Sequence, residues 1–172
     1  LELADLGSKM YKSTDEWSID RKTFLKIQWY FRMEVTIDAF ATSAKAQVER
    51  FYSIYPQVGS EGLDFFAQDL SDKEVYWICP PVKLVLKTIM HILQTKQRVV
   101  AYISFPEWKS TNYWPVLVKG EFYAPWVMRV FYSSPTYKAH NNSSTNFVGK
   151  KYFRLITIIV NNKLIRNKVP RD

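Results

Sequence analysis

The chain has 172 residues, 47% hydrophobic, 16% aromatic and 23% charged, a balance that supports one packed domain and excludes both disorder and two independently folding units. Its net charge of +8 is unevenly placed: residues 1–78 carry 9 Lys/Arg against 13 Asp/Glu and residues 79–172 carry 15 against 3, so the halves are −4 and +12. The longest nearly uninterrupted apolar run, Leu155 to Val160, is far short of the ~20 residues of a membrane-spanning helix, and the single cysteine, Cys79, excludes an internal disulfide.

Taken in chain order, residues 1–20 read as a lead-in, with Ser13-Thr14-Asp15 able to cap a turn before Trp17. Arg21 to Tyr30, carrying Phe24, Leu25, Ile27 and Trp29, predicts a helix that packs on the main sheet. Val35 to Ala41 is β-branched and apolar and predicts a strand; the Ser/Ala/Lys stretch after it has better helix propensity, giving strand, loop, helix. Phe51 to Tyr55 is extended and stops at Pro56, Gln57 to Glu61 is a loop, and Val75 to Cys79 is the next strand. Pro80-Pro81 ends that strand, and Pro81 suits the first turn of an amphipathic helix bearing Val82, Leu84, Val85, Leu86, Ile89, Met90, Ile92 and Leu93.

Arg98 to Ser104 predicts a buried strand, followed by an aromatic segment, Trp108 to Leu117, interrupted by Pro115. Trp126 to Tyr132 is extended, Lys138 to Asn146 is a polar loop, and Tyr152 to Val160 is a second long strand able to pair and close the sheet. Residues 161–172 read as a basic, frayed tail. Strands alternating with helices predict a single α/β domain over residues 21–160, built on a parallel or mixed sheet.

Four blocks stand out in one order: Ile37-Asp38-Ala39-Phe40-Ala41; Leu63-Asp64-Phe65-Phe66-Ala67-Gln68-Asp69; Trp77-Ile78-Cys79-Pro80-Pro81; and Ser104-Phe105-Pro106-Glu107-Trp108 with Tyr113-Trp114-Pro115. This series resembles the phage-type DNA adenine methyltransferase (Dam-like) domain, in the divergent form that follows the RNase H region of DIRS-type retroelement polyproteins. Leu3-Ala4-Asp5-Leu6-Gly7-Ser8-Lys9 is similar to the closing segment of retroelement RNase H, with Asp5 at its last metal-binding carboxylate. One carboxylate cannot support the two-metal mechanism, so no RNA cleavage is expected.

The resemblance implies a Rossmann-like, methyltransferase-type mixed sheet with flanking helices, S-adenosylmethionine at the strand ends and DNA at the same edge. General α/β logic puts ligands outside the carboxyl ends of strands as well. The candidate cofactor residues are Asp38, Ala39, Phe40, Ala41, Asp64 and Asp69. The three carboxylates either hold a ribose hydroxyl or adenine amine, or serve as loop caps. No glycine-rich turn follows the first strand and bulky Phe40 stands where a ligand would approach. The expected cofactor is therefore none, with S-adenosylmethionine the one candidate.

The motif position is Cys79-Pro80-Pro81-Val82. Active relatives carry Asp or Asn, two prolines and an aromatic ring, which accept hydrogen bonds from the target amine and stack the flipped base. Here a thiol replaces the strong acceptor and an aliphatic group the ring. Each lost transition-state contact costs on the order of 100-fold, so an inactive site is expected. Neither His91 nor His140 is near Cys79 in sequence, so a nucleophilic thiol is not expected; nor is a metal site.

The basic half interleaves aromatics with cations. Lys83, Lys87, Trp108, Lys109, Trp114, Lys150, Lys151 and Arg154 are candidate nucleic-acid contacts, since phosphates attract Lys/Arg and bases stack on rings. The alternative is a solvated basic surface over an aromatic core. Asn141 and Asn142 open glycosylation sequons that read as a polar loop.

The first residues, Leu1 to Asp5, have neither an initiator methionine nor the order of a secretory leader, and read as a piece of a longer chain. The expectation is an intracellular protein of the nucleus or cytoplasm, without membrane association. Its expected role is a non-catalytic accessory domain of a retroelement-derived reverse transcriptase/RNase H polyprotein, associated with nucleic acid and with neighbouring domains. An active DNA adenine methyltransferase and a protein-interaction module are the alternatives.

Overall fold

The computed structural model describes residues 17–134, 137–139, 154–164 and 168–172. Strand β1 (Trp17–Ile19) leads into helix α1 (Arg21–Phe31). The Asp20 side chain starts this helix by accepting from the Thr23 N–H at 3.1 Å and the Thr23 hydroxyl at 2.6 Å. Phe24, Ile27 and Phe31, at helical spacing, form the buried face, and Arg32 ends the helix in the left-handed region at φ 52°.

The main sheet has five strands. β2 (Ile37–Asp38), β5 (Val75–Ile78) and β6 (Val100–Pro106) are parallel. β11 (Leu155–Asn161) runs antiparallel to both β6 and β9 (Val127–Ser133), giving the order β2-β5-β6-β11-β9. Smaller pairs flank it: parallel β3 (Tyr52–Ser53) with β4 (Gly62–Leu63), antiparallel β7 (Val118–Lys119) with β8 (Phe122–Tyr123), and β1 with β10 (Tyr137–Ala139).

Alternation along the strands sends side chains into two cores. Tyr76, Ile78, Ala101, Ile103, Phe105, Ile156 and Ile158 meet Val85, Ile89 and Ile92 of α2 (Val85–Gln94). Trp77, Cys79, Tyr102, Leu155 and Ile159 meet the buried face of α1 on the opposite side. The sheet is therefore sandwiched between helices, which explains the nearly continuous apolar runs of β6 and β11. Each buried Ile or Phe contributes about 1.5–3 kcal/mol.

Polar ties hold the layers in register. Asn162 accepts from the Val99 N–H at 2.8 Å and donates to the Gln97 carbonyl at 2.7 Å and the Ile92 carbonyl at 3.0 Å, joining the end of α2 to β6. Ser104 and Thr157 hydrogen-bond across the buried β6–β11 seam.

Several expectations are corrected. The Ser/Ala/Lys stretch after Ala41 is a turn, with the Lys45 and Ala46 N–H groups bonded to the Thr42 carbonyl. A carboxylate captures the Gln47 N–H, and side-chain competition of this kind outweighs a modest helix propensity. The helix after Pro81 begins as a 3-10 turn, Val82–Leu84, and becomes α-helical only at Val85. Pro115 does not break the aromatic segment; it occupies the first turn of a short helix, α3 (Trp114–Leu117), where its missing N–H costs nothing.

The supposed polar loop begins instead with β10, and the rest of it, including His140, Asn141 and Asn142, lies outside the described residues. The end of the chain is docked rather than frayed: Asn161 closes β11, the Tyr123 N–H bonds the Val169 carbonyl at 2.8 Å, and the Arg171 N–H bonds that of Glu121 at 2.8 Å. Backbone partners supplied by the β7–β8 turn override its polar composition. Leu3 to Lys9, with Asp5, and Ser13 to Asp15 lie outside the described residues.

Candidate strand-end site

β2 and β5 are neighbours in parallel register, Asp38 opposite Trp77, so their carboxyl ends carry Asp38 to Ala41 and Cys79 to Val82 side by side. The structure thus brings together the two motifs that the sequence separates by some forty positions. It also buries Asp38, Ala39, Cys79, Pro80 and Pro81.

Asp38 is only 3% exposed. One carboxylate oxygen accepts the Gln47 N–H at 2.9 Å and the other the Phe40 N–H at 3.4 Å. Burial pushes its pKa up to about 7, against the lowering effect of those two donors. The backbone here is fully committed: the Asp38 N–H goes to the Arg50 carbonyl, that of Ala39 to Trp77, and that of Ala41 to Tyr52. No N–H from residue 38 to 41 is left for a ligand, and Phe40 packs its ring on Phe65 and Phe66 at 5.4 and 5.9 Å.

Gln47 locks this loop to the lead-in. Its side-chain amide donates to the Ile19 carbonyl at 2.8 Å, and its own carbonyl accepts from Arg21. β1 is thereby drawn across the strand end, and Cys79 is left 5% exposed. Burial, reinforced by nearby Asp38, pushes the Cys79 thiol well up, away from the thiolate a nucleophile needs. Pro80 and Pro81 are buried, the Pro81 carbonyl takes the Leu84 N–H at 2.8 Å, and Val82 packs against both cores. The motif serves as the turn that launches α2.

Asp64, exposed and at φ 61°, accepts the Phe66 N–H at 3.0 Å and caps a 3-10 turn, Phe65–Ala67. Asp69 is exposed. Among the described residues no group of three or more His, Cys, Asp or Glu converges as a metal site, and no helix is long and apolar enough to cross a membrane.

The described candidate nucleic-acid contacts differ in exposure and in partners. Trp114 is 8% exposed, with the Arg171 guanidinium 5.7 Å from its ring centre, and Trp108 packs against the α1-side core. Arg154 is engaged by Glu107 at 2.7 Å and by Asp172, and lies over the Tyr132 ring at 4.2 Å. Lys83, Lys87 and Lys109 are exposed, with the Lys87 ammonium 4.2 Å from the Phe66 ring centre. Lys150 and Lys151 lie outside the described residues.

Gln47 and Arg21 are the site residues that sequence reasoning missed. Nothing in a polar Gln or a helix-starting Arg marks it as part of a buried latch, because its partners are backbone carbonyls brought in by the fold. What the observations define is a three-layer α/β domain whose strand-end backbone donors are used internally. Compared with known proteins, the chain matches no family model and no curated sequence.

Proposed function

We propose that this chain is a catalytically silent, methyltransferase-like accessory domain of a retroelement-derived polyprotein, associated with nucleic acid inside the cell. The mixed sheet, with an antiparallel strand set beside three parallel ones and both motifs at adjacent carboxyl ends, is what supports the methyltransferase-like part. The observation that carries the silent part is the internal use of every backbone N–H from Asp38 to Ala41, beside a buried thiol where an acceptor of the target amine would stand. A cofactor cradle needs free donors, and transition-state stabilisation needs a strong acceptor; this arrangement supplies neither.

The test is calorimetric titration with S-adenosylmethionine together with transfer of a labelled methyl group to single- and double-stranded DNA. Neither heat nor label is expected. Saturable binding that Asp38→Ala abolishes, or label in DNA, would overturn the silent reading and support the active enzyme.

A further inference from the structure

The outer face of α1 is basic and aromatic with no acidic residue from Arg21 to Arg32. Lys22, Lys26 and Trp29 lie at i, i+4 and i+7 and so share one stripe, with the two lysines one helical turn, about 6 Å, apart. Trp29 is 76% exposed, second only to Val58 among the large apolar side chains of the described residues. Neither lysine makes an ion pair among the described residues.

Beside this stripe runs a groove of about 450 Å³ between α1 and strand β9, lined by Asp20, Lys22, Lys26, Phe131 and Ser133 among others, with the Asp20 carboxylate accepting from Thr23. Ser133 Oγ is buried without a hydrogen-bond partner among the described residues. Tyr30, half exposed, continues the stripe; Phe31 and Phe131 hold its ring edge-on at 5.0 and 5.2 Å. The exposed Arg129 reaches across from β9, its guanidinium 4.7 Å from the Phe31 ring centre.

Stability does not account for this arrangement. Lys22, in the first turn, opposes the helix macrodipole, and an indole left in water contributes little to the core. The pattern does suit one chemistry. Unpaired ammonium groups a turn apart attract successive phosphates, and a flat exposed ring next to a fixed second ring stacks unpaired bases. An acidic protein would use the lysines but has no need of the open indole face.

We propose that the α1–β9 face, centred on Lys22, Lys26, Trp29 and Tyr30, is a binding surface for single-stranded nucleic acid. This rests on the nucleic-acid part of the function proposed above and gives it a location away from the strand end. None of the four residues belongs to the basic half of the sequence.

The experiment is fluorescence anisotropy with labelled single-stranded DNA and RNA of about 12 nucleotides at about 50 mM salt, and again at higher salt. Circular dichroism checks each variant, and because the altered side chains are exposed, folding is expected to survive. Trp29→Ala is expected to weaken binding about 10-fold, with Trp29→Phe restoring most of it. Lys22→Glu with Lys26→Glu is expected to weaken it at least as much and to flatten the salt dependence. Lys83→Glu with Lys87→Glu on α2 serves as the control, expected within about 2-fold of the unaltered chain.

If the α2 pair removes binding and the α1 variants do not, the location is overturned while nucleic-acid association survives. If the lysines matter, Trp29→Ala does not, and heparin competes as well as an oligonucleotide, the surface is a plain polyanion site and the proposal fails. If the unaltered chain binds neither DNA nor RNA at about 50 mM salt, the broader nucleic-acid reading fails with it.

Discussion

Replacing Asp38 with Asn should remove most of a loss of stability that the unaltered chain suffers as pH rises. In the folded protein burial raises the Asp38 pKa to about 7, whereas in the unfolded chain it returns to about 3.9. Between those values the folded state holds a proton that the unfolded state has released, so stability is greatest below the unfolded pKa and declines as pH rises toward 7. The gap between the two values corresponds to about 4 kcal/mol, an upper figure because a charged interior relaxes. That is a large part of the roughly 5–15 kcal/mol of a typical domain. Asn cannot ionise, yet it keeps an oxygen for the Gln47 N–H, as the protonated acid does.

Urea unfolding at pH 5 and pH 8 reads this directly: with slopes of about 1–3 kcal/mol per molar, the midpoint of the unaltered chain should fall by on the order of 1 M. The midpoint of Asp38→Asn should fall much less. His91 acts in the opposite sense, since burial and Lys87 lower its pKa, so its neutral ring favours folding as pH rises through the ordinary imidazole range. The difference between the two proteins cancels that contribution. Equal midpoint shifts in both, or a midpoint of the unaltered chain that rises because of Asp38, would refute the account of a protonated carboxyl under the lead-in strand.

Cys79, the single cysteine, should resist a thiol reagent in the folded protein, and Gln47→Ala should make it react faster while costing about 1–3 kcal/mol of stability, because the Ile19 carbonyl loses its donor; equal labelling rates would count against the latch. Asn162→Ala should cost about 2–4 kcal/mol in denaturant unfolding, as three carbonyls and one N–H lose their partner. Arg154→Ala, at a side chain 40% exposed, should cost no more than about 1 kcal/mol despite two carboxylate partners. A loss of several kcal/mol would show that its stacking on Tyr132 matters more than its charge.

Much of the architecture was legible in local pattern. The apolar runs of β5, β6 and β11 and the 3.6-residue stripe of α2 report burial that each element carries in its own residues. The turn after Thr42 and the docking of residues 168–172 were not legible, because each depends on a hydrogen-bond partner outside the segment itself: the Asp38 side chain nine residues before Gln47 for one, the distant Glu121 and Tyr123 backbone for the other. The Asp38 and Cys79 blocks could be read as lying together at the strand ends, and parallel pairing does set Asp38 beside the Cys79 turn.

Composition placed the positive charge in the second half, yet charge along a chain is not charge on a surface. Arg154 is spent on Glu107 and Asp172, Trp114 is buried, and the open basic and aromatic stripe belongs to α1 in the acidic half. Residue identity alone was enough to expect that the chain folds as one α/β layer structure. The tie of the lead-in to the strand end was settled by Ile19, Arg21 and Gln47 meeting there. Polar groups find their partners by proximity in space, a relation that periodicity along the chain does not encode.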